Sequence, residues 1–88
     1  MPEPAAEPTY TLYRRGMELL EEGDYMDAAA PLAEAARREP EKTSVREALG
    51  RALSMTGDKR RARHHLALAS NLRPDRRDYR YYRRLLDS

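Results

Sequence analysis

Apolar residues recur three or four positions apart in two successive segments of the chain, residues 9–22 and 25–38. This spacing places them on one face of an α-helix, because an α-helix turns once every 3.6 residues. The residues that carry the pattern are Leu12, Leu19, Leu20, Ala28, Leu32, Ala35 and Ala36. Gly23 and Asp24 interrupt it, since glycine can end a helix in the left-handed conformation and aspartate can begin the next one. The pattern therefore predicts a helix, a tight turn and a second helix.

The second half of the chain follows the same plan. Ser44, with Glu47 three residues later, has the spacing of a capping box and predicts the start of a third helix. That helix ends at a second Gly-Asp pair, residues 57–58, and a fourth helix is predicted over residues 59–71. Pro74 then separates a last segment, residues 75–87, which we predict to be a fifth helix.

The two halves are related by a repeat of 34 residues. Aligning residues 9–40 with residues 43–74 gives ten identities, which fall on small residues, apolar helix positions and turn residues. The first members of the identical pairs are Thr9, Gly16, Leu19, Gly23, Asp24, Ala28, Leu32, Ala33, Ala35 and Pro40. Each unit therefore consists of a helix, a turn, a second helix and a proline that ends it.

Glycine occurs inside the first predicted helix of both units, at Gly16 and Gly50. A glycine in a helix interior costs about 1 kcal/mol relative to alanine. Its recurrence at the same place indicates a steric reason, namely that the second helix of the unit approaches closely there. We predict that Ala28 and Ala62 face these two glycines.

A repeat of this length, with these residues, resembles the tetratricopeptide repeat. The matching residues of the first unit are Leu12, Gly16, Leu19, Gly23, Asp24, Tyr25, Ala28, Leu32, Ala35 and Pro40. The second unit matches at most of these positions and departs at two, where Arg46 stands in place of Leu12 and Lys59 in place of Tyr25. Residues 63–84 also resemble the end of small bacterial proteins of this family.

The resemblance implies an all-α fold, an α-α superhelix of five helices. We expect residues 1–8 to be a disordered arm, residues 9–42 and 43–74 to be two repeats, and residues 75–88 to be a capping helix. The ends of the chain support this division, because a solenoid needs polar outer faces at its two ends. Thr11, Glu18 and Glu22 are polar where a preceding repeat would pack, and Arg80 and Arg84 are polar where a following one would pack.

Composition limits the function. Eighty-eight residues make one small domain, and a chain without cysteine has neither a disulfide framework nor a thiol nucleophile. His64 and His65 are adjacent, so on a helix they point about 100° apart and cannot share a metal ion. With no phosphate-binding loop and no apolar segment long enough to span a membrane, we predict a cytoplasmic, non-enzymatic protein with no cofactor, no metal and no membrane partner.

Members of the resembled family are generally peptide or protein binders whose concave surface is lined by the first helix of each repeat. The resemblance implies an adaptor that binds a protein or peptide partner there. Leu20 and Ala48 also fall on this surface, although Leu20 and Met17 have an equally good interpretation as core residues. The groove residues it implies are Tyr10, Tyr13, Arg14, Met17, Glu47, Arg51, Met55 and Tyr81.

Charge is distributed unevenly and leaves two alternatives open. Residues 1–44 hold ten acidic and five basic side chains, a net charge of −5, whereas residues 45–88 hold five acidic and twelve basic ones, a net charge of +7. The basic half could bind nucleic acid or another acidic partner, or two copies could associate as a homo-oligomer through opposite ends. A solvated helix surface is the simpler interpretation. The candidate basic patch consists of Arg60, Arg61, Arg63, Arg76, Arg77, Arg80, Arg83 and Arg84.

Overall fold

The computed structural model of the chain describes residues 7–73 and Arg84. These residues form four α-helices and no strand, so the predicted all-α fold is confirmed for this part of the chain. The helices are α1 (Thr9–Glu21), α2 (Tyr25–Arg38), α3 (Thr43–Met55) and α4 (Lys59–Leu72). Apart from Arg84, the predicted fifth helix at residues 75–88 lies outside the described residues.

Glycine ends the first helix of each unit, as the sequence predicts. Gly23 and Gly57 have φ angles of +83° and +89°, in the left-handed region where a side chain would be strained. After α1, the backbone N–H of Asp24 donates to the Leu19 carbonyl at 2.8 Å and that of Gly23 donates to the Leu20 carbonyl at 3.1 Å. These two bonds form a Schellman motif, which satisfies carbonyl groups that the end of the helix leaves unpaired.

The start of α3 differs from the prediction. The helix begins at Thr43 with Lys42 at the N-cap, and no side chain caps it, so the predicted capping box of Ser44 and Glu47 is wrong. Ser44 already lies in the first helical turn, two residues after the N-cap, and therefore too late to act as the cap. Asp58 does cap α4, because its carboxylate accepts a hydrogen bond from the backbone N–H of Arg61 at 3.3 Å.

The helices pack in chain order, α1 against α2, α2 against α3 and α3 against α4, with a smaller contact between α1 and α3. Their facing sides form one core in which Leu32, Leu66 and Val45 are the largest fully buried residues. Small residues fill the spaces between these side chains, since Ala28, Ala35, Ala52, Ala62 and Ala69 have no exposed surface.

Both interior glycines lie where a neighbouring helix approaches closely, but the predicted partners were wrong. A Cβ atom added at Gly16 would lie 2.6 Å from Leu32 Cδ2, and one added at Gly50 would lie 2.8 Å from Leu66 Cδ2. The large leucine side chains therefore occupy the space that the glycines leave, and not Ala28 or Ala62. At Gly50 the carbonyl oxygen of Ala62 is the next nearest atom, at 3.5 Å from the added Cβ, so the backbone of Ala62 also lies close to this glycine.

Glu7 and Pro8 precede α1 and contact the helices. The Arg15 guanidinium lies 2.9 Å from the Glu7 carboxylate, and Arg38 of α2 donates a hydrogen bond to the Glu7 carbonyl. The Pro8 carbonyl accepts from the backbone N–H of Leu12 at 3.1 Å. Of the arm predicted at residues 1–8, residues 1–6 lie outside the described residues. No helix in the described part of the chain is long and apolar enough to cross a membrane.

Candidate functional site

The N-terminal ends of α1 and α3 enclose a pocket of about 170 Å³. These are the first helices of the two repeats, and they lie side by side in the fold. Most of the pocket's accessible surface is apolar. Its lining residues are Thr9, Tyr10, Tyr13, Lys42, Ser44 and Val45.

Helical geometry explains how the two tyrosines come together. Tyr10 and Tyr13 are three residues apart on α1, so their side chains lie on the same face of the helix. Tyr13 is half-buried and packs against the core, whereas Tyr10 is 68% exposed. Val45 is 1% exposed and belongs to the core, so its backbone position in α3 is fixed by packing. The pocket thus has one exposed aromatic wall, Tyr10, and a buried apolar base, Val45.

Lys42 supplies a positive charge at this pocket. Its Nζ atom lies 3.5 Å from Glu39 Oε1, and both side chains are exposed. An ion pair of this kind contributes little to stability, so the ammonium can exchange Glu39 for an acidic group of a ligand at small cost. The pocket can therefore hold an apolar or aromatic side chain and place a negative charge beside it.

The other residues predicted to line the groove are spread more widely. Arg14 is exposed and paired with Glu18 at 3.3 Å, whereas Glu47 and Arg51 are half-buried. Met17 is half-buried against the core, and Met55 lines a different depression at the opposite end of α3. Tyr81 lies outside the described residues.

Two residues assigned to the binding surface belong to the core instead. Leu20 and Ala48 are 8% and 2% exposed, so neither presents a side chain to a partner. Both face a neighbouring helix of the core cluster, and burial there removes more apolar surface from water than a groove would. The sequence allowed Leu20 to be either a groove residue or a core residue, and the structure places it in the core.

Three residues of the candidate basic patch lie close together at the start of α4. Arg60, Arg61 and Arg63 are exposed, and Lys59 is exposed beside them. Arg61 approaches Asp58 at 3.7 Å. Arg84 is also exposed, whereas Arg76, Arg77, Arg80 and Arg83 lie outside the described residues.

The histidine pair has a structural contact that the sequence did not predict. Nδ1 of the half-buried His65 lies 2.8 Å from the Arg46 guanidinium, which also donates to the Pro40 carbonyl at 3.0 Å. Burial, followed by the positive charge of Arg46, lowers the pKa of His65 to about 4. His65 is therefore neutral at pH 7 and accepts the hydrogen bond. Arg46 occupies the position that Leu12 has in the first repeat. This departure from the repeat pattern is the sequence feature that could have predicted the contact with His65.

His64 is exposed, and its ring centroid lies 5.2 Å from that of His65 in an edge-to-face arrangement. The part of the chain that the structure describes contains no group of three or more histidine, aspartate or glutamate side chains placed to hold a metal ion.

Sequence reasoning missed a second concave surface at the other end of the helices. It lies between the start of α2 and the end of α3 and has a volume of about 440 Å³. Met26 is 78% exposed there, and Met55 is 59% exposed. Met26 falls outside the apolar stripe of α2, so an apolar residue at this solvent-facing position is the signal that marks the surface.

The chain matches a protein-family model. The model described as tetratricopeptide repeat matches residues 19–86, well over half of the chain. No curated protein matches the chain.

Proposed function

Because the chain belongs to the tetratricopeptide repeat family, we propose that it is a non-enzymatic adaptor that binds a peptide segment of a partner protein between α1 and α3. Repeats of this family generally mediate protein–protein interactions. The observation that supports this site is the pocket in which α1 contributes two tyrosines and α3 contributes Val45 and Lys42.

The exposure of Tyr10 supports a role in binding. A tyrosine that leaves 68% of its surface in water contributes little to the core, yet it can bury its ring against a ligand. Tyrosine is enriched at the energetically dominant positions of interfaces, because it is large and loses few rotamers on binding. Tyr10 therefore closes over the bound segment while Tyr13 and Val45 form the apolar surface beneath it.

The size of the pocket limits what enters it. A volume of about 170 Å³ accommodates a single apolar or aromatic side chain of the bound segment. Arg14 is exposed one residue after Tyr13, and Lys42 lies at the pocket itself, so both can pair with acidic groups of the ligand. The preferred segment has one apolar anchor next to an acidic residue.

The predicted capping helix belongs to this proposal. The family match extends to residue 86 and so includes most of residues 75–88. We propose that this segment is a helix that packs against α4 and that it adds Tyr81 to the binding surface. We also propose a cytoplasmic location for the adaptor.

A peptide selection tests the proposal. We would select binders from a library of displayed peptides and measure their affinity for the wild-type protein and for Tyr10→Ala by fluorescence anisotropy. Loss of a tyrosine at the centre of an interface costs about 2 kcal/mol, so we expect Tyr10→Ala to weaken binding by about thirtyfold. Tyr13→Ala should weaken it further, although it also removes a contact with the core.

Met26→Ala is the matched control, because Met26 is also a large exposed apolar residue and lies at the other end of the helices. It should leave the affinity of the selected peptide within about twofold of wild type. Selected peptides that bind Tyr10→Ala as tightly as the wild-type protein would refute the groove as the binding site.

A second candidate function is binding to nucleic acid or another polyanion. Residues 59–63 place Lys59, Arg60, Arg61 and Arg63 on two turns of α4, and residues 59–73 contain no acidic side chain. Retention of single-stranded RNA at low salt, lost on replacing Arg60 and Arg63 with glutamine, would favour this function. Retention unchanged by these substitutions would exclude this patch.

A further inference from the structure

The two most exposed methionines of the described chain lie on one depression at the turn end of the helices. Met26 comes from the first turn of α2 and Met55 from the last turn of α3. The residues that line the depression are Gly23, Asp24, Tyr25, Met26, Asp27, Met55 and Thr56. Methionine side chains are flexible and polarizable, so exposed pairs of them adapt to apolar groups of different shape.

The surroundings of the depression are acidic. Asp24 and Asp27 line it, and Glu21 and Glu22 immediately precede Gly23 and are exposed. Residues 16–36 contain no lysine or arginine, so the segment carries only negative formal charge. Within the described residues, no ion pair joins any of these four carboxylates to a basic side chain.

Packing fixes the shape of this surface. Tyr25 is half-buried against the core, and Ala28, one turn further along α2, is fully buried. Gly23 adopts its left-handed conformation, and no atom outside the adjacent residues lies within 4 Å of where its Cβ would be, so the turn leaves open space beside the methionines. The backbone beneath the depression is therefore held in place by the core, while the exposed side chains of Met26 and Met55 line it.

From this apolar surface within an acidic rim we propose a second docking site, which binds a short cationic segment of a partner protein through one apolar side chain. The apolar side chain lies between Met26 and Met55, and flanking lysine or arginine residues face Asp24 and Asp27. Charge complementarity selects this occupant, because an acidic or neutral segment would gain nothing from the rim and a cationic one is attracted to it. The described residues hold no group of three carboxylate or histidine side chains that would bind a metal ion instead.

The site is separate from the groove of the proposed function. The groove opens at the N-terminal ends of α1 and α3, whereas this depression lies at the end of α3 and the start of α2. The two sites also prefer opposite charges in their ligands, since Lys42 and Arg14 flank the groove. An experiment can therefore disprove one of the two proposed sites and leave the other proposal standing.

A fluorescein-labelled peptide of sequence Gly-Arg-Lys-Leu-Lys-Arg-Gly, with blocked ends, serves as the probe. The same peptide with serine in place of leucine is its charge-matched control. We expect the leucine peptide to bind about tenfold more tightly than the serine peptide, because only leucine gains apolar contact with the methionines. Raising the salt from about 50 mM to about 500 mM should weaken both, because the Debye length shortens.

Variants of the protein separate the apolar and charged contributions. Met26→Ser should weaken binding of the leucine peptide by about fivefold and leave binding of the serine peptide unchanged. Asp27→Asn should weaken binding of both peptides by about threefold. Glu41→Gln removes one exposed acidic group elsewhere and should change neither affinity. Tyr10→Ala should also leave both affinities unchanged, which distinguishes this site from the groove.

Nuclear magnetic resonance locates the bound peptide. The chain has four glycines, whose amide signals lie in a sparse region of the spectrum. The peptide should shift the signal of Gly23, which lines the depression, and leave those of the buried Gly16 and Gly50 in place.

Three results would overturn the proposal. Equal affinity for the leucine and serine peptides would show that the methionines take no part. Binding that Tyr10→Ala abolishes would place the peptide in the groove. A protein that sediments as a dimer without peptide and becomes a monomer on Met26→Ser would show that a second copy covers this surface.

Discussion

Gly16 and Gly50 are positions at which the packing of each repeat leaves no room for a Cβ atom. Each faces the branched end of a leucine on the second helix of its own repeat, Leu32 or Leu66. The sequence predicts the close approach, because a glycine recurs in a helix interior where it is otherwise unfavourable. It does not predict the partner, since the rotation of one helix about its axis against another depends on the whole core.

We expect Gly16→Ala to destabilise the protein by about 1–2 kcal/mol in urea unfolding. Alanine gains about 1 kcal/mol in helix propensity, but overpacking against Leu32 costs about 2–3 kcal/mol, the upper part of the usual range, because the clash involves the branch point of that side chain. The double variant Gly16→Ala/Leu32→Ala should be more stable than the sum of the single effects predicts. A single variant as stable as wild type would contradict the tight contact.

His65 should make stability depend on pH. Its pKa is about 4 in the folded protein and 6.5 in the unfolded chain, so the unfolded chain binds the additional proton between these values. The stability contributed by neutral His65 is complete above pH 6.5 and is lost as the pH falls towards 4. After allowance for partial exposure to solvent, we expect a loss of about 1–2 kcal/mol.

Two variants isolate this effect. His65→Gln keeps a hydrogen-bond acceptor for Arg46 and should flatten the dependence of unfolding free energy on pH between 6.5 and 4, whereas His64→Gln should leave it in place. The Arg37 and Arg38 guanidiniums lower the pKa of Glu34 to about 2, so its contribution is lost only as the pH falls from 4.5 towards 2. An unchanged pH profile in His65→Gln would contradict the account.

At the scale of the helices, the sequence predicts most boundaries to within one residue. Periodicity and the Gly-Asp pairs place α2 at residues 25–38 and end α1 and α4 within one residue of their observed ends. The start of α3 was wrong, because a serine three residues before a glutamate also occurs inside a helix. A serine and a glutamate at this spacing therefore do not show whether the serine is the N-cap or already lies in the first turn.

Replacing Gly23 with alanine should destabilise the protein far more than replacing it with asparagine. Its φ of +83° costs an alanine about 1–2 kcal/mol, and no atom outside the adjacent residues lies within 4 Å of the added Cβ, so the effect is conformational. Asparagine tolerates the left-handed region better, so Gly23→Asn should cost less than half as much in thermal unfolding. Equal losses for the two variants would point to a lost contact instead of backbone strain.

At the scale of the whole molecule, α2 packs against α3 and so joins the two repeats. We expect the two repeats to unfold as one cooperative unit. The amide signals of Gly16 and Gly50 report one repeat each and should lose their native intensity at the same urea concentration. Leu66→Ala should lower stability by about 2–5 kcal/mol and move both midpoints together. Signals that separate in the variant would show that the repeats unfold independently.

The candidate groove could be predicted only in part. Tyr10 and Tyr13 share a face because of their spacing on α1, and this follows from the sequence. The contribution of Val45 and Lys42 depends on how α3 packs beside α1, which periodicity does not specify. For the same reason, the sequence grouped Met55 with the groove although it lies at the other end of α3.

The contacts of a bound peptide test the central claim most directly. We would measure intermolecular nuclear Overhauser effects between a peptide selected on the wild-type protein and the side chains of the protein. Binding between α1 and α3 predicts contacts from the peptide's apolar anchor to the Tyr13 ring and to the methyl groups of Val45. Contacts to the methyl groups of Met26 and Met55, with none to Tyr13, would contradict it.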